Sequence, residues 1–334
     1  MAGDSVRWVV RRSNPEITAQ KGTDRRGPWP VVGLSDYIGR IPIARRRAVL
    51  RARGRIELPT FEGALWHSVV GLALKRRHCC DRGDGSNCSC PYHVLFESRA
   101  DDHACGPFRA GERVPTPLIF NTGGWRARVA EEGEKLEVDY TLVGRIELAE
   151  EVNRAIEEAA SRGLGRRRSG AELERVDTLL SNLTGAEGVW RESRSLELTF
   201  LTPLRLKKDG RYLKRFDPEA LGRDLMFRLA ALGHHHAALP WPAPWREILE
   251  QARAARVVSE ENRWVRPVRY SARQRRGIVL GGVLGTVRIE SVEPLFGSLL
   301  RAGEVIHAGK GVSVGLGEYR VSPLVGCADD EVAR

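Results

Sequence analysis

The sequence predicts an α+β protein of two tandem ferredoxin-like (RRM-like, βαββαβ) domains, with a cysteine-bearing insertion in the first. Three observations predict it. Strand and helix patterns follow one another in the same order in each half. Each half carries Gly-Leu-Gly between its second helix and its last strand, Gly163-Leu164-Gly165 and Gly315-Leu316-Gly317. The 334 residues are enough for two domains with full cores.

Residues 1–38 form an Arg-rich polar extension whose one apolar patch, Val6 to Val10, is too short to assign. The first domain spans 39–190. It opens on a basic strand, Ile41 to Arg53, and a helix from about Pro59 with Phe61, Leu65, Val69 and Leu72 spaced along one face. The insertion, about 78–110, follows. Strands at Pro117–Phe120 and Leu136–Val143, a helix with Val152, Ala155, Ile156 and Ala159 on one side, and a strand near Val176–Leu180 complete the unit. The second domain spans 191–327. Leu196–Leu201 is its first strand, and Asp217-Pro218 opens a helix carrying Leu221, Leu225, Leu229 and Leu232. Ile278–Glu290, broken by Gly281, Gly282 and Gly285, reads as a hairpin; a helix through Pro294–Leu300 and a strand at Glu318–Val321 close the domain. Residues 328–334 are a tail.

The formal net charge is +11, from 54 Lys plus Arg against 43 Asp plus Glu. Such a surplus favours a polyanionic partner and fits ribosomal or membrane-surface proteins as well. No apolar run approaches the ~18 residues of a membrane span, and the N-terminus lacks an apolar h-region, which predicts a cytoplasmic protein. The loop Gly309-Lys310-Gly311-Val312-Ser313-Val314-Gly315-Leu316-Gly317 suits a backbone that clasps a polyanion. It is neither a Walker A loop, because Gly311 stands where Ser or Thr is needed, nor a dinucleotide fingerprint, because the glycine spacing differs and a strand follows.

The chain resembles the CRISPR repeat-processing endoribonucleases of the RAMP superfamily, in the branch with a C-terminal glycine-rich loop and a long cysteine-bearing first domain. The residues that carry the resemblance run over about 40–325. They are the Gly309–Gly317 loop, Arg269-Tyr270-Ser271-Ala272-Arg273-Gln274 leading into Leu280–Gly285, Thr202–Leu206, Leu58–Leu65 at the first helix, and Cys90–Glu97. The resemblance implies cutting of a precursor crRNA within each repeat, with no metal in the chemistry. A ribose 2′-OH attacks the neighbouring phosphate and leaves 2′,3′-cyclic phosphate and 5′-OH ends. Acid, base, positive charge and in-line geometry all assist such a step.

The catalytic candidates are His67, His307 and Tyr270. His67 lies about 200° around the helix from Leu65, off the predicted apolar stripe. Members of the family often place a histidine at or near this helix; here no histidine precedes His67. The alternative is an ordinary surface or half-buried histidine. His307 stands at a helix C-terminus, which favours its protonated form and also fits a simple partner for that helix end. Tyr270 serves equally as acid, base, stacking platform or core residue. His234, His235 and His236 read as a solvated turn after Gly233. RNA-binding candidates are Arg166, Arg167 and Arg168 after the first glycine turn, Arg269, Arg273, Gln274, Arg275 and Arg276 in a second stretch, and Gly309, Lys310, Gly311, Gly315 and Gly317 in the loop.

Five of the six cysteines cluster in the insertion. Cys80, Cys88, Cys90 and Cys105 are candidate ligands of a structural zinc, with His78, His93 and His103 as substitutes; reduced thiols in a surface insertion are the alternative. The partners implied are CRISPR repeat RNA or crRNA and other effector subunits. A non-catalytic RAMP subunit holding crRNA, and a general RNA-binding protein, are the competing readings.

Overall fold

The computed structural model describes residues 33–79, 88–100, 107–181, 183, 194–241, 245–266, 268–271 and 276–324. The described chain opens on α1 (Leu34–Gly39), whose Leu34, Tyr37 and Ile38 pack into the core of the second domain, and the first domain follows with β1 (Ile43–Ala52), β2 (Ile56–Leu58) and α2 (Glu62–His78). It continues through α3 (Pro91–Phe96), β3 (Leu118–Asn121), β4 (Arg128–Ala130), β5 (Lys135–Val143), α4 (Ala149–Arg162) and β6 (Ala171–Leu180). Its sheet has the order β3-β5-β1-β6, with every pairing antiparallel. That is the βαββαβ order the sequence predicts.

The second domain contains β7 (Leu196–Leu204), the small hairpin β8 (Lys207–Lys208) and β9 (Arg211–Tyr212), α5 (Pro218–Ala237) and α6 (Trp245–Ala254). β10 (Arg256–Val265), β11 (Val268–Ser271), β12 (Arg276–Val279), β13 (Gly282–Glu290), α7 (Pro294–Ile306) and β14 (Tyr319–Pro323) follow. The sheet order β10-β13-β7-β14 repeats that of the first domain. Residues 278–290 are not a hairpin of their own. β13 pairs with β10 and β7, and β12 pairs with β11, so β10–β13 make one long ribbon with β11 and β12 at its tip. Gly281 and Gly282 interrupt it: a Cβ at Gly281 would stand 2.3 Å from the Trp264 ring.

α2 buries a different face from the one expected. Trp66, Val70, Ala73 and Leu74 point into the core, whereas Leu72 is 51% exposed. Apolar residues surround most of this helix, and packing decides which of them go inside. α4 covers one side, and α3 presses Phe96 onto Gly71 on another.

The basic strand β1 is largely neutralised by its neighbours. Arg47 forks onto Asp139 at 2.7 and 3.0 Å, Arg53 meets Glu172 at 2.8 Å, and Arg51 pairs with Glu174. These exposed or half-exposed pairs each contribute about 0–1 kcal/mol. Their larger consequence is that this face is not a free cationic surface.

The glycine-rich loop meets α2 where Gly63 allows it. A Cβ there would lie 2.4 Å from the Val314 carbonyl oxygen and 3.2 Å from Gly315 Cα. Alanine normally favours a helix over glycine by about 1 kcal/mol. We expect Gly63→Ala nevertheless to destabilise the protein by about 1–3 kcal/mol, because both neighbours are backbone. Gly297→Ala in α7, which meets only a Val292 methyl at 3.7 Å, is the control and should stabilise. Urea unfolding of both variants checks the sign.

Candidate functional site

The loop that follows α7 forms much of the seam between the domains. Gly309, Gly311, Gly315 and Gly317 all take positive φ, between 72° and 93°. At Gly317 a Cβ would stand 1.7 Å from the Ala308 carbonyl oxygen. Several loop amides are already committed within the protein. Gly309 donates to Asp224 at 2.6 Å, Lys310 to the Arg205 carbonyl at 3.0 Å and Gly317 to the Pro203 carbonyl at 3.2 Å. Val312, Val314, Gly315, Leu316 and Gly317 are buried; Lys310 is exposed. The close approaches that Gly309, Gly315 and Gly317 permit are therefore to the protein's own backbone, and that of Gly311 is to the Leu316 side chain. A polyanion is left with Lys310 and its surroundings.

Two buried polar contacts fasten this loop to the first domain. Glu318, 4% exposed, accepts hydrogen bonds from the backbone N–H groups of Thr122 and Gly123, each at 3.0 Å. Burial raises the pKa of its carboxyl, while the two amides oppose that shift. Above it, Thr141 Oγ1 donates to Asn121 Oδ1 at 2.8 Å, and Asn121 Nδ2 meets His307 Nε2 at 2.9 Å. In this chain of bonds His307 Nε2 accepts and Nδ1 carries the proton. Nδ1 lies toward Leu316 without closing a hydrogen bond among the described residues.

His307 is thus neither exposed nor charged. Its exposure is 0%, and burial together with Arg228 and Arg45 pushes its pKa down to about 3. The expected protonation at a helix end is corrected, because desolvation of a fully buried imidazole outweighs a helix-end effect of ~0.3–1 kcal/mol. The end of α7 is met instead by Arg228, whose Nε donates to the Ile306 carbonyl at 2.7 Å.

His67 lies one turn beyond Gly63 on α2. Residues four apart are displaced by about 40° around a helix, and side chains tilt toward its N-terminus. His67 therefore leans toward the place where Val314 and Gly315 touch the helix. It is half-buried, and its ring stands 4.8 Å from that of Phe96. At the same helix start Glu62, 3% exposed, is held by Arg128 through bonds of 2.8–3.0 Å. Burial raises the pKa of Glu62, against the pull of Arg128.

The remaining candidates are more scattered. Arg166, Arg167 and Arg168 are exposed on the turn between α4 and β6, with Arg167 3.7 Å from Glu57. Arg269 and Tyr270 lie on β11 and Arg276 on β12, in register at the ribbon tip. Arg273, Gln274 and Arg275 fall outside the described residues, as do Cys80, Cys105 and His103. His234, His235 and His236 form the last turn of α5 and are not a solvated turn. His236 is buried, bonds the Pro115 carbonyl at 2.7 Å, and has its pKa pushed down to about 3 by burial. His78 pairs with Glu151 at 2.7 Å.

Sequence reasoning missed Asn121, Glu318 and Trp125. Trp125 lies tilted against Phe61, ring centroids 5.3 Å apart, and borders a cleft of about 660 Å³ whose other walls include Leu201, Asn262, Arg263 and Leu284. The one available signal was Gly123-Gly124 before an aromatic residue, a turn mark between two strands.

Among curated proteins no relative matches this sequence. Residues 41–200 match a family model described as an N-terminal domain, and residues 198–319 match that of CRISPR-associated endoribonuclease Cas6. Among solved structures, the chain is similar to Thermus thermophilus Cas6 (TTHB231) in a product complex, with 17% identity and a TM-score of 0.52. That match covers 85% of this chain and 99% of the other. It is also similar to Cas6 (TTHA0078) in a product complex, with 18% identity, a TM-score of 0.51, and 84% and 99% of the two chains covered. These likenesses show the shared fold of tandem ferredoxin-like domains. Over residues 198–319, the second half of this chain is similar to the family of CRISPR-associated endoribonuclease Cas6.

Proposed function

We propose that this protein binds CRISPR repeat RNA and cuts precursor crRNA within each repeat. The observation that carries the reading is the family match over the second domain, in a chain whose two sheets share one strand order. Exposed Arg166, Arg167, Arg168 and Lys310, with the arginine-bearing ribbon of β11 and β12, supply phosphate contacts that weaken as salt rises. Trp125 at its cleft offers a face for an unpaired base.

In the cleavage step the ribose 2′-oxygen bonds to phosphorus and the bond from phosphorus to the 5′-oxygen breaks. One proton leaves the 2′-OH and one reaches the departing 5′-oxygen. His67, at the seam beside the glycine-rich loop, is the residue we assign to one of these transfers, and Tyr270 on the ribbon remains the candidate for the other. Buried His307 holds the seam and orients the loop. The step needs no metal, since the attacking group belongs to the RNA and cationic side chains stabilise the phosphorane.

The test is incubation with the repeat RNA of the same locus in EDTA, beside a copy carrying a 2′-deoxy substitution at the cut site. A single cut that persists in EDTA and disappears in the deoxy copy is expected. Cutting that stops in EDTA and returns with a divalent ion would overturn the metal-free step. Tight binding without any cut would make the protein an RNA-holding subunit and withdraw the catalytic roles.

A further inference from the structure

The insertion brings together three side chains that RNA cleavage does not use, with a fourth, Cys88, beside one of them. Cys79 is the residue that ends α2, Cys90 the one that begins α3, and His93 lies in the first turn of α3. One ligand atom each from Cys79, Cys90 and His93 falls within 4.8 Å of the others. Cys90 Sγ lies 3.2 Å from His93 Nδ1, and Cys79 Sγ lies 3.9 Å from the same nitrogen. Cys88 is a side-chain hydrogen-bond neighbour of Cys90. None of Cys79, Cys88 and Cys90 is in a disulfide.

We propose that Cys79, Cys88, Cys90 and His93 bind one zinc ion as a Cys3His structural site. Bond lengths of ~2.3 Å to sulfur and ~2.0 Å to nitrogen put neighbouring tetrahedral ligand atoms about 3.5–3.8 Å apart. The separations of His93 Nδ1 from the two sulfurs bracket that range, so these three groups stand near zinc-ligand spacing and Cys88 closes in as the fourth ligand. Cys90 and His93 are three apart in a helical turn and so share a face. Three thiolates around a divalent ion leave one negative charge, and the Lys75 ammonium stands 5.9 Å from the ring of Tyr92, beside His93.

The ligand set differs from the one the sequence alone favoured, with Cys79 and His93 in place of Cys80 and Cys105. Its consequence is mechanical. The ion ties the end of α2 to the start of α3, and α3 carries Phe96, which packs on Gly71 and faces the His67 ring. The site therefore fixes the wall against which His67 rests. Metal binding stands independently of RNA cleavage, and a failure of either leaves the other readout intact.

The test is elemental analysis of protein purified under reducing conditions with zinc supplied and no chelator. About one zinc per chain is expected for the unaltered protein and for Cys80→Ser and Cys105→Ser. Zinc should be lost in Cys79→Ser, Cys88→Ser, Cys90→Ser and His93→Ala. Because those variants can fail to fold, cobalt exchange into the unaltered protein is the second measurement. Tetrahedral thiolate-to-cobalt absorption is expected, with a fall in Tm when the metal is stripped. Zinc near zero, or zinc kept without Cys79 and lost without Cys105, would overturn the assignment.

Discussion

Replacing His307 by glutamine should remove about 2 kcal/mol of the acid destabilisation that the protein undergoes between about pH 7 and pH 5. The folded-state pKa of this imidazole is pushed down to about 3, against about 6.5 when unfolded. Between those values the unfolded chain binds the proton and the folded chain does not. The contribution is thus fully present above the unfolded pKa and is lost as pH falls below it. His236, also pushed down to about 3 by burial, has the same sign and size. Glu62, Asp224, Glu304 and Glu318 act in the opposite direction, because burial raises their pKa values and the folded state takes up their protons first. The total slope of the unaltered protein mixes both kinds. The difference between that slope and the slope of each His→Gln variant isolates one imidazole. Urea unfolding at a series of pH values measures it; equal slopes would show that neither histidine is held neutral.

The strand order of both domains was legible because six-element periodicity survives single misread elements. Only details that depend on packing were lost. β10 escaped because its core-packed residues, Val257 and Trp264, are separated by the polar run Ser259 to Arg263 and a register shift, so no period-two apolar pattern marks it. The face of α2 was misread because Leu65, Val69 and Leu72 are as apolar as Trp66, Val70 and Leu74, so composition alone did not separate them. The glycine-rich loop shows a deeper ambiguity. A glycine that lets a backbone approach phosphate looks the same in sequence as one that lets it approach Val314 or Ala308. At the seam, Asn121 and Glu318 become significant only when two distant segments meet, and no spacing rule relates residue 121 to 307.

His67→Ala should slow single-turnover cleavage of repeat RNA by about 10²–10⁴-fold, the usual worth of a positioned acid or base. RNA affinity and its salt dependence should be unchanged, since the proposed phosphate contacts are those of Arg166, Arg167, Arg168, Lys310 and the ribbon. The placement is the physical reason for singling out this residue. Among the described histidines, His236 and His307 are buried and held neutral, His78 is engaged by Glu151, and His93 belongs to the cysteine cluster. His234 Nδ1 donates to the Leu239 carbonyl at 2.9 Å, and His235 packs edge-on against Phe108. His67 lies one turn beyond Gly63, where α2 meets the glycine-rich loop, with its ring 4.8 Å from that of Phe96, and the proposed function assigns it one of the proton transfers. A structural role would show as lost stability with cleavage tracking the folded fraction. A role in proton transfer shows as lost rate at full folding, with the rate profile against pH losing one limb in His67→Ala. If the variant cuts at the unaltered rate, the proton moves elsewhere, and Tyr270→Phe becomes the decisive comparison.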